Sequence, residues 1–329
     1  MSRLVAIFAF VGLCALPGWA AAQCKGADLA DRWGAAFDAR LDARVADVPF
    51  AEGTLWEVSR DGATSTIFGT LHLPDDDVAT PPTILLDRME AAEELLVEVT
   101  RLEEQRMTRK ILLNPSLFLS KNGAELQDAL TSQEWSELER AIAPYGLPVD
   151  YANRIAPWYL AVTLSIPACV TGYAAEGKAI LDRRIEAAAL AQDIPVAGLE
   201  IPEDVFELFS DLSYDDQVQM LRASLPTAGL AEDMLATTKQ MYLDGQIARI
   251  EAVAVEMLEE TGQASAMSAA EQFLELLLTE RNARWMNILL PKLIEGDRVV
   301  AVGALHLVGE HGLLSKLEAE GFTVTRLPL

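Results

Sequence analysis

Two spacings of apolar residues divide the chain. TLWEVSR (54–60) and TSTIFGTL (64–71) are rich in β-branched and aromatic residues, and Asp61-Gly62 between them is a hairpin signal. Residues 83–94 carry a helical period and lead into ELLVEVT (94–100), which reads as a buried strand. From about 101 to 285 the helical period dominates, as in the amphipathic LDRRIEAAALAQD (181–193). Gly and Pro punctuate that stretch at 144–148 and 157, and one short strand, IPVAGLE (194–200), interrupts it. Helical spacing over 271–295 stops at Gly296-Asp297. RVVAVGAL (298–305) follows, a continuous apolar run typical of a strand covered on both faces. A helix over 310–320, a stop at Gly321 and a last strand, FTVTRL (322–327), are expected to close the chain. Upstream, residues 25–50 read as helix and then loose connection.

One internal echo stands out. IFGTLHL (67–73) and AVGALHL (301–307) both place Gly-x-Leu-His-Leu at the end of a β-like run, and both are followed by a loop, a helix and another strand. Strands from the two ends of the chain are therefore expected to share one sheet. The predicted fold class is α/β (α+β): a mixed central sheet built from the two G-x-x-H units, with residues of about 101–285 as a mainly helical excursion. No solenoid period or low-complexity tract is present. Residues 23–329 are expected to form a single domain.

Composition narrows the partners. Apolar residues make up 51% and charged residues 23%, which excludes a disordered chain. Lys and Arg number 26 against 50 Asp and Glu, a formal net charge of −24. Nucleic-acid binding and polybasic membrane association both need the opposite balance. The expected partner is a peptide or small-molecule substrate, not nucleic acid.

Residues 1–22, MSRLVAIFAFVGLCALPGWAAA, have the form of a signal peptide: Arg3, an apolar run, a break at Pro17-Gly18 and small residues before Gln23. An uncleaved membrane anchor is the alternative. Gln23 before Cys24 disfavours a lipoprotein. No other stretch is long and apolar enough to span a bilayer, so a periplasmic or secreted location without a stable membrane span is expected. Cleavage removes Cys14 and leaves Cys24 and Cys169. In an oxidising compartment this pair is expected to form a disulfide; the alternative is two unpaired small hydrophobes.

Candidate chemistry follows from rarity. The chain has three histidines, and two of them, His72 and His306, hold the same position in the repeated motif. Gly69 and Gly303, three residues before each, allow close approach of backbone or ligand. Imidazoles at adjacent strand ends would share one cleft, and imidazole is a common ligand for Zn-, Mn-, Fe- and Co-class metals. Glu98 stands among apolar residues in LLVEV and needs an ion, a proton-transfer role or a salt bridge to justify its charge. Asp75 could orient His72, bind metal or simply be solvated. Asp76 and Asp77 read as solvated, His311 as a surface or supporting residue, and Glu200 as another strand-end candidate. Arg281-Asn282 interrupts an apolar helix and could hold a carboxylate or a substrate oxyanion; a helix-to-sheet salt bridge is the alternative. No G-x-S-x-G, H-E-x-x-H or P-loop occurs.

FGTLHL, LLVEV, GLE, ERNARWMNIL and VVAVGALHLVGEHGLLSKLEAEGFTVTRL together resemble the TraB/GumN family over about residues 50–327. That family is related to the Tiki metalloproteases and to the wider erythromycin-esterase-like and ChaN-like group. The resemblance implies a metal-dependent hydrolase fold, with peptidase activity in the Tiki branch. His72 and His306 match its paired histidines, Glu98 the acidic residue after the first unit, and Arg281-Asn282 the polar pair before the second. The expected function is metal-assisted hydrolysis. A divalent ion of the Mn, Co or Zn class would be held by His72, His306 and Glu98, with Glu98 as ligand or base and Arg281 and Asn282 on the oxyanion. The rival readings are a non-catalytic haem- or metal-binding protein of the same fold, and a protein in which these motifs only stitch the sheet.

Overall fold

Asp61 and Gly62 both adopt positive φ (53° and 89°), the geometry of a tight two-residue turn whose twist matches its flanking strands. They join β1 (Leu55–Arg60) to β2 (Ala63–Thr70) as an antiparallel hairpin, with Arg60 opposite Ala63 and Leu55 opposite Phe68. The computed structural model describes residues 24–170, 173, 176–262 and 267–329. The leader-like segment 1–22 lies outside them. The other strands are β3 (Glu94–Val97), β4 (Val196–Gly198), β5 (Arg298–Gly303) and β6 (Thr323–Arg326).

The six strands form one sheet in the order β4-β3-β5-β2-β1-β6. β4, β3, β5 and β2 run parallel, and β1 is antiparallel to both β2 and β6. The fold is therefore α/β with a mixed central sheet. β5 lies between β3 and β2, which explains its continuous apolar run. Val299, Val300, Ala301 and Val302 are fully buried because helices cover both faces. The two echo strands are direct neighbours, with Thr70 paired to Gly303.

Several elements are shorter than the sequence suggests. The strand expected over 94–100 ends at Val97, because Thr100 already caps the next helix by accepting from the Glu103 N–H. Glu98 therefore stands just past a strand end rather than inside one. The helix expected over 83–94 is Thr83–Met89, and that over 310–320 is Leu313–Ala319. The long excursion also divides. Residues such as Met107, Leu126, Leu138, Leu160, Leu221 and Leu276 make a core of their own, whereas Leu181, Ile185, Met241, Ile247 and Val253 pack into the sheet's core.

Cys24 and Cys169 form a disulfide with their Cα atoms 5.2 Å apart, as expected from the count of thiols. It ties the start of the described chain to the helical excursion. Among the described residues no helix is long and apolar enough to cross a membrane.

Candidate active site

Four parallel strands end on one edge of the sheet, and the chain places a titratable side chain just beyond each. His72 follows β2, Glu98 follows β3, Glu200 follows β4, and His306 closes a short 3₁₀ turn, Ala304–His306, after β5. Ligands of open α/β sheets collect at this carboxyl edge. The two glycines make the crowding possible. A Cβ on Gly69 would lie 2.9 Å from Cα of Ala304, so β2 could not approach the turn. A Cβ on Gly303 would lie 3.1 Å from Glu98 Oε1 and 3.5 Å from His72 Nε2, filling the centre of the cluster.

His72 is held from behind. Its Nδ1 is 2.9 Å from Asp182 Oδ2, and the other Asp182 oxygen accepts from the Thr70 hydroxyl at 2.7 Å. Nε2 points at Glu98 Oε1, 3.5 Å away. Burial works against protonation of this ring, but Asp182 and Glu98 outweigh it and lift its pKa from 6.5 to about 10. It is the more exposed of the two rings, its side chain 20% accessible against 5% for His306. It opens on a cleft of about 10 Å³, bordered by Val97, Val99, Ile180 and Arg183 as well. That is room for about one water molecule.

His306 is held in the opposite state. Asn282 Oδ1 accepts from its Nδ1–H at 2.7 Å, while Asn282 Nδ2 donates to the carbonyls of His306 (3.1 Å) and His311 (3.0 Å). Nε2 then carries the lone pair, which accepts from Arg281 Nη1 at 3.2 Å. Trp285 packs on the ring with centroids 4.3 Å apart. Burial, reinforced by the Arg281 charge, pushes this imidazole down to about 3.

Arg281 and Asn282 stand in the first turn of the helix Glu280–Glu295, directly after a π-helical turn, Glu275–Thr279. Such irregular turns frequently mark functional sites. Arg281 is saturated. Nη1 also donates to the Leu277 carbonyl (3.0 Å), Nη2 to Glu98 Oε2 (2.7 Å) and to Glu200, and Nε to Glu200 (3.0 Å). Glu98 accepts on its other oxygen from the Gly303 N–H at 2.6 Å. Burial alone would raise the Glu98 carboxyl, but Arg281 and His72 hold it well below the usual carboxylate range. For Glu200 burial, with the Glu98 charge beside it, outweighs the Arg281 guanidinium and Trp285, and its carboxyl is raised.

These contacts sort the expectations. Arg281 makes the helix-to-sheet salt bridge, and all its donors are engaged within the protein, so none is free for an oxyanion. Asn282 is likewise committed and acts on His306. Asp75 does not orient His72: it pairs with Lys239 at 2.8 Å, since the polar loop after His72 leans on the helix Ala231–Leu243. Asp77 shares that lysine, and Asp76 pairs with Arg184 at 2.8 Å. His311 is exposed and contributes its carbonyl. The sequence reading missed Asp182 and Thr70. The signal for Asp182 was an acid amid Ile180, Leu181 and Ile185, and that for Thr70 its place two residues before His72.

The donor chemistry suits a divalent ion. Both imidazoles turn Nε2 toward Glu98 Oε1, at 3.5 and 3.9 Å, and both have Nδ1 fixed by a side-chain oxygen, the support that ligating histidines typically have. As the side chains stand, no three His, Cys, Asp or Glu among the described residues are gathered into a ready ligand set. Arg281 engages the His306 lone pair and would have to release it, and His72, whose pKa is raised to about 10, would have to give up its Nε2 proton.

A model of the TraB/PrgY/gumN family matches residues 54–326, from the start of β1 to the end of β6. The chain belongs to this family. No curated protein matches the chain. The family match thus spans both G-x-x-H units, Asp182 and the Arg281-Asn282 turn, while Cys24 lies outside it and Cys169 inside.

Proposed function

We propose that this TraB/PrgY/gumN protein is an exported hydrolase whose site is the carboxyl-edge cluster of His72, Glu98, Arg281 and His306. The observation that carries the reading is the convergence of two oppositely prepared imidazoles on one Glu98 oxygen beside a cleft the size of a water molecule. His72, His306 and Glu98 would hold a divalent ion of the Mn, Co or Zn class. When bound, such an ion lowers the pKa of a coordinated water and polarises a carbonyl.

The protein's own residues have separable tasks. Asp182 and Asn282 orient the two rings. Arg281 keeps Glu98 ionised, and a carboxylate with so low a pKa is a weak base, which favours a holding role over proton abstraction. His72 is the ring that meets the cleft, so it meets the reacting water first. Export is supported by the leader-like segment together with the Cys24–Cys169 disulfide. The substrate class is a peptide or small molecule, and the −24 net charge disfavours an anionic one.

Elemental analysis of the purified protein tests this reading. The expected result is one divalent ion per chain, lost in His72→Ala and in His306→Ala with circular dichroism unchanged. A well-folded protein that takes up none of Mn, Co or Zn would sink it. Hydrolysis of peptide and ester panels, with and without metal, tests the activity itself.

A further inference from the structure

Asn282 has a second neighbour. Behind the His306 turn lies a groove of about 490 Å³, within the size range of small-molecule sites. Its floor is apolar: Ala252 and Val255 from the helix Ile247–Glu260, Leu274 and Leu278 from the turns before Arg281, and Leu305 and Val308 after β5. Its charged walls are acidic, with Glu251, Glu271, Glu275 and Glu310. The one lysine or arginine that lines it, Arg44, is already spent on Glu256 and on Glu259 (2.6 Å). Glu251 stands exposed on the groove wall and has no side-chain hydrogen bond or ion pair among the described residues. The groove therefore offers apolar area and uncompensated negative charge together.

We propose that this groove binds an organic cation with an apolar body, its ammonium or guanidinium group beside Glu251 and its hydrocarbon on the alanine-, valine- and leucine-lined floor. A cation gains a charge-assisted partner from a carboxylate that no base of the protein engages among the described residues. An anion of the same shape meets four carboxylates, and the bases on the walls are Arg44, already paired, and the single imidazole of His311. The inference stands apart from the hydrolase reading, since none of the floor or wall residues belongs to the His72–Glu98 cluster. An occupant would nevertheless abut Asn282, the side chain that orients His306.

Titration calorimetry on the purified protein with octylammonium, and with octanesulfonate as its anionic counterpart, both below micelle-forming concentration, tests the proposal. The expected result is one saturable site for the ammonium and none for the sulfonate. Glu251→Gln should weaken binding roughly tenfold, about the loss of one charge-assisted contact. Ala270→Trp, which fills the groove without changing charge, should abolish it; Ala254→Phe serves the same purpose if the first variant is misfolded by circular dichroism. Absence of a saturable ammonium site, equal binding of the sulfonate, or unchanged affinity in Glu251→Gln or in a folded groove-filling variant would overturn it.

Discussion

Arg281 donates from Nη1 into the Nε2 lone pair of His306 at 3.2 Å. A permanent cation and a neutral imidazole thus share one hydrogen bond in the interior, and the ring stays neutral because burial penalises its charged form and the Arg281 charge repels a second one. An ion bound at His306 would compete with Arg281 for the same lone pair. The neighbouring contacts of Arg281 with Glu98 and Glu200 make it the electrostatic centre of the cluster.

Removing that centre should be costly. In Arg281→Met two buried carboxylates lose their shared partner, and unfolding free energy is expected to drop by about 3–5 kcal/mol. Urea denaturation measures the loss. Adding Glu200→Gln to this variant should restore part of it, because one of the two stranded charges is then gone. No difference between the single and double variants would show that Glu200 does not depend on Arg281.

Gly303→Ala should separate site from stability. Its φ of −51° is open to any residue, so the backbone tolerates the change, and unfolding free energy is expected to move by about 1 kcal/mol or less. The new methyl, however, would stand 3.1 Å from Glu98 Oε1 and 3.5 Å from His72 Nε2. Metal uptake and any hydrolytic rate are expected to fall by roughly tenfold or more, since small misplacements in a reacting site are expensive. Metal stoichiometry and a calorimetric melt on the same sample check both halves.

The two histidines should titrate at opposite ends of the pH scale in metal-free protein. His72, raised to about 10, contributes stability that is complete below its unfolded value of 6.5 and is lost as pH climbs toward 10. His306, lowered to about 3, binds its proton more readily when unfolded, so stability falls as pH drops from 6.5 toward 3. Glu98, also lowered, adds to the acid loss. Stability should therefore peak near neutral pH. Imidazole proton NMR should find one ring still protonated at mildly alkaline pH and another still neutral at mildly acidic pH. In Asp182→Asn the protonated ring should titrate lower.

Opening the Cys24–Cys169 bridge should destabilise without disturbing the site. The bridge closes a loop of sequence separation 145, and long loops gain most from closure. Cys169→Ser is expected to cost about 2–4 kcal/mol. Non-reducing peptide mapping detects the bridge, and denaturation with and without reductant measures its worth. Metal content should stay unchanged, because neither sulfur touches the His72–Glu98 cluster.

Local pattern set out much of this molecule in advance. The apolar run of β5, the Asp61-Gly62 turn and the repeated Gly-x-Leu-His-Leu units each express a local rule, whether burial on both faces, positive φ or a strand end with room beside it. These features placed His72 and His306 at strand ends and made Glu98 conspicuous as a charge among apolar neighbours. Which partner each group meets was beyond their reach. Periodicity puts Asp182 on a helix face but says nothing of the ring across from it, and Arg281 reads the same whether it faces solvent, substrate or two buried acids. Asp75, three residues from His72, was the nearer candidate in sequence, yet Lys239 claims it. Tertiary packing decided these matters because it brings the helices Leu181–Ala191 and Glu280–Glu295 against the carboxyl edge of the sheet. Protonation states in a buried cluster depend on charges a few ångströms away in space, and those distances exist only once the chain has folded.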